Sequence, residues 1–264
     1  MTAASLALGV VLGMAAGYAA YRLRALTATG AVAAAATGAL TFAFGGVGAA
    51  LLLLTFFVSS SLLSRVGAAA KVDLGSTFEK DARRDEVQVL ANGGVAALMA
   101  VAYGLSGSAA AWVAMAGSLA AVNADTWGTE LGVLARARPI RLTDGRRVER
   151  GTSGAVSLEG TLAALAGAGL VGGLAGMLAG SAALGVAVTV GGLAGSIVDS
   201  LLGATLQGVF ECPVCGKETE RYPVHTCGTP TRPIRGWRWL RNDAVNLGAA
   251  LAGALVSVGV WSIL

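Results

Sequence analysis

The chain has 264 residues, of which 55% are hydrophobic and 13% charged, with 39 glycines and only 5 prolines. That is about half the usual charged share and excludes a water-soluble globule of this size. A mean hydropathy of +0.70 excludes disorder, and with this much glycine it fits a polytopic helical membrane protein, because Gly lets helices approach closely in lipid. The net charge of +4 does not make the chain a nucleic-acid binder. Its basic residues sit in short loops between apolar spans, where membrane topology accounts for them. Three cysteines are too few for a disulfide scaffold.

A bilayer core needs about 20 apolar residues per helix. In chain order the pattern predicts an all-α fold with about eight spans, at roughly 4 to 21, 26 to 44, 46 to 64, 87 to 105, 107 to 124, 157 to 178, 181 to 204 and 244 to 264. The loops after the odd-numbered spans hold all 19 Lys and Arg residues, from Arg22 to Arg241. The loops near Gly45, Leu105 and Gly180 hold none. The positive-inside rule then places the long loops in the cytoplasm and both termini outside, in a plasma-membrane protein. The first span reads as an anchor rather than a cleavable signal, since its arginines, Arg22 and Arg24, follow the apolar run. Trp127, Trp237 and Trp239 are expected at the cytoplasmic interface, and Trp112 and Trp261 at the outer one. Gly9, Gly13 and Gly17, and again Gly172, Gly176 and Gly180, recur every fourth residue as packing ridges.

A transporter keeps polar groups at the midplane in broken helices, whereas here they gather at the cytoplasmic ends of spans. Asp85, Gln88 and Asn92 are spaced by three and four and share one helix face beside Arg84. They read either as interhelical glue or as a phosphate pocket. Where the fifth span emerges, Asn123, Asp125, Thr129 and Glu130 follow, with Asp125 and Glu130 expected in one loop. Hard cations such as Mg2+ are held by one or two carboxylates plus substrate phosphates, which this segment can supply; a solvated helix end is the plainer reading. Gly151, Thr152, Ser153, Gly154 and Ser157 open the sixth span, either as a phosphate-binding turn or as ordinary capping by Ser153 or Ser157. Ser196, Asp199, Ser200 and Gly203 line one face of the seventh span. No span holds a basic residue to pair with Asp199, which leaves a metal, a proton or polar neighbours to offset its burial. Asn242, Asp243 and Asn246 start the last span, where Asp243 also suits the helix dipole.

All three cysteines and the only histidine fall in one stretch: Cys212, Cys215, His225 and Cys227. Cys-x2-Cys followed by Gly is a common Zn2+ knuckle, and His225 with Cys227 completes a closed, structural Cys3His set. An unliganded reduced cluster or a disulfide is the alternative. The loop over 205–243 is thus expected to be a small cytosolic knuckle on a single integral membrane domain covering 1–264.

No P-loop motif and no His-Glu-x2-His occur. With the sole histidine committed to the cysteines, hydrolases built on Ser and His are disfavoured. Carboxylates, amides, arginines and glycines remain, an inventory suited to metal-assisted chemistry on phosphates.

Taken in order, Asp85-x2-Gln88-Val89-Leu90-Ala91-Asn92-Gly93-Gly94, Ala124-Asp125-Thr126-Trp127-Gly128-Thr129-Glu130-Leu131-Gly132, Gly151-Thr152-Ser153-Gly154-Ala155-Val156-Ser157 and Asn242-Asp243-x2-Asn246 resemble an integral-membrane family. It is the one long known as domain of unknown function 92, which takes in transmembrane protein 19 and phytyl-phosphate kinases. Gly128 and Ala155 stand where Ala and Gly are more usual. The resemblance implies a kinase that turns an isoprenoid monophosphate, phytyl or prenyl, into its diphosphate with a nucleoside triphosphate, CTP being favoured. A phosphomonoester oxygen is already ionised at neutral pH, so a chain without a histidine base suits that acceptor. The competing readings are a membrane transporter or lipid flippase without kinase activity, and a phosphatidyl-type transferase.

Overall fold

The computed structural model describes residues 3–65, 83–135 and 137–264. The chain is a polytopic helical membrane protein. Six helices among the described residues are long and apolar enough to cross a membrane.

Helix α1 (Ala3–Arg22) packs along the first part of α2 (Ala28–Arg65) through its glycine ridge. A Cβ at Gly9, Gly13 or Gly17 would meet the carbonyls of Ala39, Ala35 and Ala31 at 2.8, 2.4 and 2.6 Å, so only glycine lets the two backbones come this close. An unbroken helix of the 38 residues of α2 would be about 57 Å long, nearly twice the hydrocarbon thickness of a bilayer. Gly46, at φ 72° and ψ −167°, breaks it into two arms. Arg65, at the end of the second arm, donates from Nη2 to the Leu23 carbonyl at 3.0 Å, so that arm returns to the side from which the first set out.

Helix α3 (Glu86–Ser106) is capped by Asp85, whose carboxylate accepts from the Gln88 amide, and ends on Gly107 in the left-handed region. Helix α4 (Ala109–Gly132) is buried almost all round from Ala111 to Ala124. Its Ala-, Gly- and Ser-rich sequence offers no bulky or charged face to keep neighbours away, and it packs against α2, α3, α5, α6 and α7. Helices α5 (Leu158–Ala179) and α6 (Ala182–Thr205) are N-capped by Ser157 and Ser181. Helix α7 (Asn242–Trp261) closes the bundle. The core runs through Leu52, Phe56, Val95, Val113, Met115, Leu119, Val171, Val188 and Ala250.

Two small antiparallel sheets lie outside the helices. Strands β1 (Ile140–Arg141) and β2 (Ala155–Val156) pair in the connection before α5. Strands β3 (Val209–Cys212), β4 (Lys217–Thr219) and β5 (Arg232–Arg235) form a sheet of order β4-β3-β5 between α6 and α7.

Three local expectations change. The fifth apolar run was predicted to stop near 124, leaving Asp125 and Glu130 in a loop, but α4 continues to Gly132 and carries both on helical turns. Asn, Asp and Thr are weak helix formers, yet packing on both sides of α4 outweighs that preference. Trp127, expected only as an interfacial aromatic, is half-buried and tied to its neighbours: its Nε1 donates to Ser59 Oγ at 3.2 Å, and its ring packs against Gly167. Gly180 is a helix terminator at φ 63°, with open space where a Cβ would go, rather than a third packing contact.

Candidate functional site

A cavity of about 560 Å3 opens where the polar ends of α3, α4, α6 and α7 converge with the β1–β2 connection and the β-sheet. Its walls are best taken element by element.

The loop before α3 fixes Arg84 by its backbone. The Thr27 amide donates to Arg84 O at 3.0 Å, and the Arg84 amide donates to Ala25 O at 3.1 Å. Gly30 allows this, since a Cβ there would sit 2.4 Å from Arg84 O. The guanidinium lies over the rings of Phe56 and Phe57, at 5.8 and 5.9 Å. Burial pulls the Arg84 pKa below its usual value, and the charge of Glu130 opposes that shift. On the first turns of α3, Gln88 and Asn92 line the cavity, as their spacing predicted.

The end of α4 supplies Asp125, Thr126, Thr129 and Glu130. Glu130 Oε1 accepts from Ser64 Oγ at 2.7 Å. Across the cavity Asp199, with Ser196 and Ser200, comes from α6. Asp125 from α4 and Asp199 from α6 thus line the same cavity. Asp199 Oδ2 is buried and has no hydrogen-bond partner among the described residues.

The glycine-rich turn from Gly151 to Ser157 forms a third wall. It is pinned to the end of α6: Ser153 Oγ donates to Gln207 Oε1 at 2.9 Å and lies 3.2 Å from its alternative acceptor, Gly203 O. Arg235 donates from Nη1 to Ala204 O at 2.6 Å, satisfying a carbonyl at the helix C-terminus. Gly154 has φ 74°, and a Cβ there would lie 2.1 Å from the Ala204 amide nitrogen. Ser157 does the capping that the sequence left open between it and Ser153, accepting from the Gly160 amide at 3.1 Å. Asn242 and Asn246 from the start of α7 complete the ring.

Three expected site residues lie elsewhere. Asn123 is fully buried; its Nδ2 donates to Gly167 O at 2.8 Å, and its Oδ1 accepts from Ser59 at 2.9 Å and Ser60 at 3.3 Å. It joins α2, α4 and α5 and does not line the cavity. Asp85 caps α3, and Asp243 sits in the first turn of α7, outside the cavity lining. In the other direction, Ser64, Arg150, Gln207, Glu220 and Arg221 line the cavity without having been singled out. Their segments carry no helical spacing relative to the recognised motifs, so only the folding of the loops brings them in.

Glu220 and Arg221 arrive on the sheet that carries the cysteine cluster. The ligand atoms of Cys212, Cys215, His225 and Cys227 all lie within 4.8 Å of one another. Cys227 Sγ stands 3.5 Å from Cys212 Sγ and 3.6 Å from Cys215 Sγ, too far for disulfide bonds, and 3.1 Å from His225 Nδ1. Two knuckle turns shape the set. The Gly216 amide donates to Cys212 O at 2.8 Å and the Gly228 amide to His225 O at 2.9 Å, with both glycines at positive φ. Hydrogen bonds from Thr229 and then His225 pull the Cys227 thiol down to about 5. Three sulfurs and an imidazole nitrogen converging in this way can hold a metal. The cluster also braces the sheet. Buried Phe210 on β3 stacks on Tyr222 at 4.7 Å, Arg241 lies over Phe210 at 5.9 Å, and Arg241 Nη2 donates to Glu220 O at 3.4 Å.

Helices of this length and apolarity define an integral membrane protein, with a polar cavity at one end of the bundle. Residues 11–254 match the family described as integral membrane protein DUF92, and the chain belongs to that family. It is 34% identical over 227 residues to Protein PGR of Arabidopsis thaliana, covering 76% of this chain and 77% of that one. It is 31% identical over 243 residues to an uncharacterized membrane protein of Methanocaldococcus jannaschii, covering 90% and 87%. Protein VTE6, chloroplastic, of Arabidopsis thaliana is 28% identical over 240 residues, which cover 88% of this chain and 64% of that protein. No solved structure matches.

Proposed function

We propose that the chain is an isoprenoid-monophosphate kinase, transferring a phosphoryl group from CTP or another nucleoside triphosphate to a phytyl or prenyl phosphate at the cytosolic membrane surface. The observation that carries this reading is that Asp125 and Asp199 line one cavity together with Arg84, Arg150 and Arg221. Carboxylates opposite cations suit a Mg2+–phosphate complex: Asp125 and Asp199, with Glu130 beside them, hold Mg2+ on the nucleotide, and the arginines take phosphate oxygens. The Gly151–Ser157 turn offers backbone amides to phosphates. Gln88 and Asn92 hold the acceptor phosphate. Gly128, Gly160, Ala164, Leu193 and Ile197 give the same cavity an apolar side, where a lipid tail fits.

When bound, Mg2+ screens the phosphate charge that keeps two anions apart. The chain's residues align the acceptor oxygen with the γ-phosphorus and exclude water from it. That oxygen is the nucleophile, and no side chain has to take a proton from it.

The same reading divides α2 into two passes at Gly46 and counts α4 as a further span, giving eight spans with both termini outside and the basic loops in the cytosol, in the plasma membrane. It treats 1–264 as one membrane domain with a knuckle over 205–243, and fills Cys212, Cys215, His225 and Cys227 with structural Zn2+.

Purified protein with radiolabelled CTP or ATP, Mg2+ and a panel of prenyl monophosphates tests the reading. Labelled prenyl diphosphate is expected, and its absence across the panel in folded, metal-loaded protein overturns the assignment.

A further inference from the structure

Glu220 stands at the end of β4, only 9% exposed, and lines the same cavity as Asp125 and Asp199. It is close enough to Asp199 to act on it electrostatically. No helix of the bundle carries it. Its position follows from β4, which pairs with β3 in the register Phe210 with Thr219 and Cys212 with Lys217. The turn joining those strands is the one that presents Cys212 and Cys215. The cysteine cluster therefore fixes the strand pair from one end, and Glu220 emerges at the other.

Two further atoms point to a ligand. Asp199 Oδ2 is buried with no hydrogen-bond partner among the described residues. Gln207 is 2% exposed and lines the cavity; its Oε1 is used by Ser153, but its Nε2 has no partner among the described residues. An orphaned acceptor and an orphaned donor in one cavity ask for a ligand that brings both signs. A divalent cation carrying phosphate oxygens does so: the cation meets the carboxylates and a phosphate oxygen accepts from Gln207 Nε2.

We propose that Glu220 is a positioning residue for a divalent-cation site built on Asp125 and Asp199, and that the metal of the Cys212–Cys215–His225–Cys227 cluster sets the affinity of that site by holding Glu220 in place. The inference rests on the proposed phosphate-handling site and adds to it a link between two metals. Asp125 and Asp199 would hold the cation, and Glu220 would add its charge to the site without being a ligand, since Mg2+ usually keeps several waters. The cluster is then more than a clasp for its own loop, because loosening it withdraws a negative charge from the cavity.

Mn2+ serves as the probe, its binding to purified, knuckle-loaded protein in detergent read by electron paramagnetic resonance without any substrate. Wild-type protein should bind Mn2+ and so diminish the six-line signal of the free ion, and Asp199→Asn should abolish that binding. Glu220→Gln, nearly isosteric, should weaken binding by roughly tenfold, on the scale of one unit charge near a dication in a partly solvated site. Cys215→Ser should weaken it by the same factor, and adding it to Glu220→Gln should cause no further loss. Should Cys215→Ser fail to fold, Glu220→Gln still decides: wild-type affinity in a folded variant overturns the proposal. So does additive loss in the double variant, or wild-type protein that binds no Mn2+. Turnover is measured separately, so the expected Mn2+ pattern without prenyl diphosphate formation leaves the cation site standing and removes only the kinase reading.

Discussion

Ser64 Oγ donates to Glu130 Oε1 at 2.7 Å, joining the last turn of α2 to the last turn of α4 at the edge of the cavity. The pair holds one carboxylate oxygen of Glu130 in a fixed direction while Arg84 acts on the same group through space. Ser64→Ala should lower the transfer rate by about tenfold or less, because it frees a charge without deleting it. Comparison of kcat for Ser64→Ala and Glu130→Gln measures the difference, and the carboxylate change should be the larger.

Asp125→Asn keeps size and removes charge opposite Asp199. We expect phosphoryl transfer to fall by about 100-fold or more, the scale seen when one electrostatic contributor to a transition state is deleted. Thermal unfolding in detergent should change little, and the variant should retain the metal of the cysteine cluster. Wild-type turnover in such a variant removes Asp125 from the reaction.

Asn123→Ala should behave in the opposite way. Its side chain makes three interhelical hydrogen bonds in a fully buried position, and their loss leaves buried groups unsatisfied at a cost of about 1–3 kcal/mol. The unfolding midpoint should drop, whereas KM for either substrate should stay within about twofold of wild type.

Gly154→Ala places a methyl about where the Ala204 amide lies, at a backbone φ of 74°. Strain and overpacking together predict destabilisation of about 2–4 kcal/mol and a displaced glycine turn. Gly94→Ala is the control, since nothing lies within 4 Å of its added Cβ. Detergent unfolding curves of the two variants should separate clearly.

Elemental analysis of protein never exposed to chelator should find one zinc per chain. Single serine replacements of Cys212, Cys215 or Cys227 should reduce that content and make the loop around Phe210 and Tyr222 more susceptible to protease. Zinc-free protein with an intact loop would count against the closed Cys3His site.

The helical part of this molecule was largely legible in its sequence because lipid forces each span to be apolar and continuous. The break at Gly46 was visible as the gap between two apolar runs, and the Asp85, Gln88, Asn92 spacing correctly placed Gln88 and Asn92 on a shared wall. Polar residues at a span's end were harder to place. Asn123, two residues before Asp125, turned inward to Gly167 while Asp125 faced the cavity, and only neighbouring helices decide which way such a residue turns. Glu220 and Arg221 were not legible at all, because their place depends on strand pairing and on the knuckle rather than on any period in the chain.

Gly128 and Gly160 meet backbone to backbone between α4 and α5 on the apolar side of the cavity: a Cβ on Gly128 would lie 3.2 Å from Gly160 O, and one on Gly160 would lie 3.0 Å from Gly128 O. Rotamer changes do little to widen a seam whose closest atoms are backbone carbonyls, the Ala164 methyl and the capping Ser157 hydroxyl. Its gauge is set at the level of a single methyl group, and an alanine at 128 would wedge the two helices apart by a few tenths of an ångström.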